Sequence, residues 1–194
     1  MFIIEPHIKA LIFDCDGTLI DSLDSHYLAW QAAYKEEGKE FWSREEHRTR
    51  VGGSSSENIV ALINEVLGYE VDPPHMAVQK EALFLRKFAK EARPIAKVLE
   101  IAKQYHSKLP LVVASNGHRE IVHCMLEANE IKYLFDHVIT IEDVEHPKPA
   151  PDIFLAAAKL CDVAAKNCLV FEDSHTGFEA AKRANMAYVD IRDL

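Results

Sequence analysis

The segment FDCDGTLIDS, positions 13–22, places Asp14, Asp16 and Asp21 within eight residues of chain, straight after the apolar run Ala10-Leu11-Ile12-Phe13. A buried strand driven into two acids one residue apart is electrostatically costly unless a positive group sits between them. Three other segments carry matching chemistry. Ser115-Asn116-Gly117 follows an apolar run, Glu172-Asp173 ends another, and Lys148 stands between prolines in His146-Pro147-Lys148-Pro149. Carboxylates with oxygen-only donors suit a hard divalent ion, and Mg²⁺, which keeps waters and completes its shell with a phosphate oxygen, fits best.

A metal-held phosphate facing a carboxylate points to phosphoryl transfer onto that carboxylate. Asp14 is placed to attack. Asp16 is placed to protonate the leaving oxygen and then to take a proton from the hydrolytic water. Lys148 neutralises the phosphoryl oxygens, and Ser115 with the N–H groups of Asn116 and Gly117 binds them. The helix starting near His118 aims its positive end at the same place. Gly17 lets the backbone turn after the acids, and Thr18 offers a hydroxyl and an N–H to the phosphate.

These residues meet only if the right elements carry them. Short Val/Ile/Leu-rich runs at 9–14, 111–115, 137–141, 168–173 and 187–191 read as strands covered on both faces. Helical spacing covers 94–105, 120–129, 150–161 and 176–185, the last with a capping-box pattern, Thr176 and Glu179. The alternation predicts right-handed βαβ units and a parallel sheet. In such sheets ligands bind beyond the carboxyl ends of the strands, where all these polar residues would converge. Residues 20–90 break the pattern with helical segments at 25–37, 55–67 and 75–90, separated by Gly52-Gly53-Ser54 and by an Asp72-Pro73-Pro74 turn. A parallel crossover needs only about a dozen residues, so the surplus reads as a helical insertion beside the sheet. The expected organisation is a core of residues 1–19 and 91–194 with a helical cap over 20–90.

Bulk composition sets limits. The 194 residues suit one domain with a modest insertion, and 48% are hydrophobic. Net charge is 22 − 31 = −9 with no basic run, which disfavours nucleic acid and anionic membranes as partners. Cys15, Cys124, Cys161 and Cys168 form no C-x-x-C pair and read as reduced thiols of a cytoplasmic protein, with Cys15 packing the core. No signal peptide or membrane span is expected, and a monomer is the default. His47, His75 and His106 read as surface residues.

The set DCDGT, the Ser115 strand end, Lys148 in its Pro-rich loop and FEDS at 171–174 resembles the haloacid dehalogenase superfamily. All four motifs occur in order and span essentially the whole chain. The resemblance implies an α/β fold: a three-layer Rossmann-like core with a parallel sheet, and a small helical cap inserted after strand one. It implies Mg²⁺ held by the Asp14 side chain, the Asp16 backbone carbonyl and Asp173, with Glu172 assisting. DSLDSHYLAW (21–30) and HPKPAPDIF (146–154) are similar to the β-phosphoglucomutase-like branch, particularly its short bacterial sugar phosphatases acting on compounds such as fructose 1-phosphate. His26 and Lys80 match substrate-facing positions of related caps, and Gly53 and Ser54 are expected to close over the cleft. His118 is expected near the phosphate. The mutases carry an arginine in the cap loop, and here Val51-Gly52-Gly53-Ser54-Ser55-Ser56 has none. The implied activity is Mg²⁺-dependent hydrolysis of a small phosphorylated metabolite through an aspartyl phosphate. The competing readings are a phosphomutase, a phospho-acceptor module and an inert relative used for protein contacts.

Overall fold

The computed structural model describes residues 2–51 and 53–194. Five strands form one parallel sheet: β1 (Ala10–Phe13), β4 (Leu111–Ala114), β5 (His137–Ile139), β6 (Cys168–Glu172) and β7 (Ala187–Asp190). Their order is β5-β4-β1-β6-β7, so the chain winds outward from β1 in one direction and then in the other. The switch point, where open α/β sheets bind ligands, therefore lies at the end of β1, where Asp14 stands.

Both faces of the sheet are covered, which is why its strands lack alternation. Leu11 and Phe13 pack on the side of α5 (Ala96–Tyr105) and α6 (Arg119–Ala128), against Val98, Ile101, Val122 and Met125. Ala10 and Ile12 face α7 (Asp152–Leu160) and α8 (His175–Arg183), against Phe154, Ala157, Ala180 and Ala181. The result is the expected three-layer α/β arrangement.

The chain leaves the sheet after β1 through a two-strand antiparallel ribbon. β2 (Ile20–Asp21) pairs with β3 (Arg93–Pro94), Ile20 opposite Pro94 and Asp21 opposite Arg93. Between them lie α1 (Leu23–Glu36), α2 (Arg44–Val51), α3 (Ser56–Leu67) and α4 (Pro73–Lys87). These helices own a separate core around Trp30, Tyr34, Trp42, Ile63 and Met76.

Neither the ribbon nor α2 follows from sequence pattern. Two-residue strands have no measurable period, and α2 (REEHRTRV) is almost wholly polar. Asp72-Pro73-Pro74 is not a free-standing turn. Asp72 caps α4 by accepting from the His75 N–H, and the prolines occupy the first turn, where a missing N–H costs nothing. Thr176 does not start α8 either; Ser174 is the N-cap and accepts from the Gly177 N–H at 3.1 Å. His47 is a further correction, for it is buried, packed between the rings of Tyr27 and Phe41. Of the other two, His75 is exposed and His106 half-buried. Gly52 lies outside the described residues. Among those described, no helix is long and apolar enough to cross a membrane.

Candidate active site

Three strand ends and one loop converge beyond β1. Asp14 follows β1 directly, its N–H bonded to the Phe171 carbonyl of β6. Lys148 reaches in from the loop after β5, its Nζ 2.6 Å from Asp14 Oδ1 and 2.9 Å from Glu172 Oε1. Lys148 is 3% exposed, and burial opposes its charge, yet the two carboxylates hold it protonated. Glu172 is buried and saturated. Its Oε2 accepts from the N–H groups of Asp173 (2.8 Å) and Ser174 (2.7 Å) and from the Ser174 hydroxyl (2.9 Å).

Asp14, Glu172 and Asp173 bring carboxylate oxygens within 4.8 Å of one another. A single ammonium offsets three acids. Burial, followed by the repulsion of Glu172, pushes the Asp173 carboxyl up to about 6. Burial also raises Asp14, with Lys148 pulling the other way and Glu172 and Asp173 adding to the rise. Crowded oxygen donors short of positive charge fit a hard divalent cation, which would return each acid to its ionised form. Asp14, Glu172 and Asp173, three of the four residues expected at the ion, thus form a group that could hold a metal.

The Asp16 carboxylate faces away from that group, toward the helical segment. Its Oδ1 accepts from Ser22 Oγ (2.6 Å) and lies 2.8 Å from His26 Nε2; its Oδ2 lies 3.4 Å from Ser115 Oγ. Burial opposes ionisation, but His26 and the Ser22 hydroxyl hold the carboxyl down at about 2. Cys15, between the two acids, points into the core, and burial raises its thiol. Gly17 turns at φ +83°, and a Cβ there would lie 2.6 Å from Asp173 Oδ2.

Several predicted site residues also make contacts within the protein. The Thr18 hydroxyl is fully buried and donates to Asp173 Oδ1 at 2.7 Å, so it fixes an acid. Asn116 is a clamp: its Nδ2 donates to the carbonyls of Gly53 (2.9 Å) and Lys148 (3.2 Å), and its Oδ1 accepts from the Lys148 N–H (2.9 Å). Gly53 is forced to be small, because a Cβ would meet Thr176 Oγ1 at 2.5 Å and Ser174 Oγ at 2.7 Å. The loop before α3 therefore lies over the strand ends, with the Ser54 N–H bonded to Val51. Ser115 is buried, and its hydroxyl accepts from the Gly117 N–H at 2.9 Å. His26 and Lys80 pair, Nδ1 to Nζ 2.8 Å, with the imidazole stacked on Phe84. Burial lowers both, Lys80 to about 8. His118 is turned to Glu142, Glu81 and Glu57 rather than to the Asp14 group. The sequence reading missed Ser22, Ser174 and Gly177, although each lies within six residues of a motif acid.

A haloacid dehalogenase-like hydrolase profile matches residues 11–191. The chain belongs to that family. It is a phosphatase of the family, a phosphoric monoester hydrolase. Fructose-1-phosphate phosphatase YqaB of Escherichia coli K12 is 31% identical over 95% of this chain and 96% of its own length. The crystal structure of CbbY from Rhodobacter sphaeroides in complex with phosphate superposes with a TM-score of 0.80 at 26% identity, covering 93% of this chain and 84% of that one. β-Phosphoglucomutase from Clostridium difficile superposes with a TM-score of 0.77 at 25% identity, covering 93% and 83%. The chain accordingly sits among the β-phosphoglucomutase- and CbbY-like members.

Proposed function

We propose that this phosphatase hydrolyses small sugar phosphates of the fructose 1-phosphate kind, with Mg²⁺ and through an aspartyl phosphate on Asp14. The observation that carries the reading is Asp14 at the sheet's switch point, 2.6 Å from the Lys148 ammonium and grouped with Glu172 and Asp173. Asp14, Asp173 and the Asp16 backbone carbonyl would hold the ion. Glu172, with its oxygens engaged by Lys148, Asp173 and Ser174, assists by orienting the others. Mg²⁺ supplies, when bound, positive charge against the phosphoryl oxygens.

In the first half-reaction an Asp14 oxygen forms a bond to phosphorus while the bond from phosphorus to the sugar oxygen breaks. Asp16, ionised before substrate arrives, must take up a proton as substrate binds; it gives that proton to the departing oxygen and regains one from the attacking water in the second half. Lys148 neutralises the Asp14 carboxylate and the oxygens transferred to it, and Ser115, its hydroxyl oriented by the Gly117 N–H, binds those oxygens with the Asn116 N–H. In the second half a water attacks phosphorus, Asp16 removes its proton, and Asp14 is released with inorganic phosphate. Held ionised by His26 and Ser22, Asp16 is set as the base of this second half. The helices α1–α4, taken as a cap over 20–90, exclude bulk water while the acyl phosphate exists.

The sugar phosphate class draws on the Escherichia coli relative and on the cap loop, which has no arginine to grip a second phosphate. A phosphomutase is the second reading, favoured by the likeness to β-phosphoglucomutase. The test is phosphate release from a panel of phosphorylated metabolites, with Asp14→Asn as control. Free phosphate from fructose 1-phosphate, absent in Asp14→Asn, is expected. Conversion of β-glucose 1-phosphate to glucose 6-phosphate without free phosphate would replace the hydrolase reading with the mutase one. Wild-type turnover by Asp14→Asn would remove the nucleophile.

A further inference from the structure

His118 caps α6, at the seam between the core and the helices inserted after β1. Both of its ring nitrogens face carboxylates. Nδ1 lies 3.0 Å from Glu142 Oε1, in the turn after β5. Nε2 lies 3.5 Å from Glu81 Oε1 on α4 and 3.9 Å from Glu57 Oε1 on the first turn of α3. Nδ1 is at hydrogen-bond distance from its carboxylate on the core side, whereas Nε2 stands at ion-pair distance from those on the inserted helices.

Several of the charged groups around the ring already have partners. The Arg119 N–H donates to Glu142, and the Arg119 guanidinium pairs with Asp143. Ser56 Oγ donates to Glu81 at 2.9 Å, and Lys80, beside Glu81, is turned to His26. Burial raises the Glu81 carboxyl, with Lys80 and His118 opposing the rise. Glu142 sits at about 2: burial works against ionisation, and the Arg119 N–H leads the bonds that overcome it. A cleft of about 600 Å³ runs along the same seam, lined by the charged Glu81, Arg86, Glu120 and Glu142 and by apolar side chains such as Leu85 and Ile121. There α4 meets the core through apolar packing of Phe84 and Leu85 and, beside His118, through charge.

We infer that His118 is a positioning residue that latches the inserted helices onto the core. The ring is anchored by Glu142 on the core and faces Glu81 and Glu57 on the inserted helices, so the side chain bridges the two parts. The Asn116–Gly53 hydrogen bond and the packing of Phe84 and Leu85 on the core make up the rest of the closure. Partly exposed ion pairs are individually weak, so two of them shift the closing equilibrium roughly 3- to 10-fold. When closure follows binding and remains favourable, such a loss raises KM by that factor and leaves kcat nearly unchanged.

The inference rests on the phosphatase reading for its kinetic arm only. In the first arm, hydrogen exchange of the backbone of residues 53–57 is compared between wild type, His118→Gln and His118→Lys at a single pH. Protection is expected to fall in the uncharged glutamine variant and to be kept in the lysine variant. Equal protection in all three proteins overturns the latch. In the second arm, His118→Gln is expected to raise KM roughly 3- to 10-fold with kcat within about twofold. Glu81→Gln and Glu57→Gln should each give part of that rise and add little to His118→Gln. Unchanged KM in both glutamate variants would make His118 a direct substrate contact and sink the latch. A first arm that behaves as expected beside a chain that hydrolyses no phosphate ester would refute the phosphatase reading and leave the latch standing.

Discussion

Gly177 offers a test of the site's packing in which helix propensity and active-site geometry point in opposite directions. It lies within α8, and replacing a helical glycine with alanine ordinarily stabilises by about 1 kcal/mol. Here an added Cβ would overlap Glu172 Oε1 and Cδ outright and would sit 2.6 Å from Glu172 Cγ. The carboxylate must then leave its place. It gives up Lys148 at 2.9 Å, the Asp173 and Ser174 N–H groups at 2.8 and 2.7 Å, and the Ser174 hydroxyl at 2.9 Å. Breaking one arm of a buried ion pair costs roughly 3–5 kcal/mol. Subtracting the helix gain, Gly177→Ala should lose roughly 2–4 kcal/mol. Turnover should fall roughly 10- to 100-fold, as when groups that orient metal ligands are disturbed. Urea unfolding followed by circular dichroism gives the first quantity, and phosphate release the second. A variant at least as stable as wild type with full turnover would show that Glu172 is not locked by α8, and the account of the site would fail.

Three further outcomes are expected. Thr18→Val deletes the 2.7 Å bond to Asp173 Oδ1 in a fully buried place, so the Mg²⁺ concentration for half-maximal activity should rise roughly 10-fold or more; an unchanged Mg²⁺ titration would make Thr18 a bystander. His47 is buried with Nε2 unpartnered, and burial first, then the charges of His26 and Lys80, pull its pKa to about 4. Its folded pKa lies below the unfolded value of about 6.5, so stability is whole above that pH and falls as the solution is acidified toward 4, by about 3 kcal/mol. His47→Gln should flatten this acid slope in urea titrations, and parallel losses in the two proteins would refute the assignment. Chelation with EDTA should abolish phosphate release and added Mg²⁺ restore it, whereas activity indifferent to chelation would contradict the cation expected among Asp14, Glu172 and Asp173.

The sequence carried the sheet and the acids because both are local signals. A strand buried on both faces must be a run of apolar residues, and acids at its end are readable wherever the run stops. Leu111–Ala114 and Cys168–Glu172 were legible for that reason, and with them Ser115, Glu172 and Asp173. Lys148 was legible from its chemistry, since a group of acids needs a cation. What the sequence did not determine is which oxygen each side chain meets. The Thr18 hydroxyl read as a phosphate ligand and is tied to Asp173, and the Asn116 side chain holds Gly53 and Lys148. His118 and His47 read as a phosphate neighbour and a surface residue; one bridges the seam and the other is buried in the inserted helices. Most of these contacts join residues far apart in the chain, 155 positions for Thr18 and Asp173. Local periodicity encodes which face of an element is buried; only the packing of one element on another decides whose carboxylate a hydroxyl or an imidazole will find.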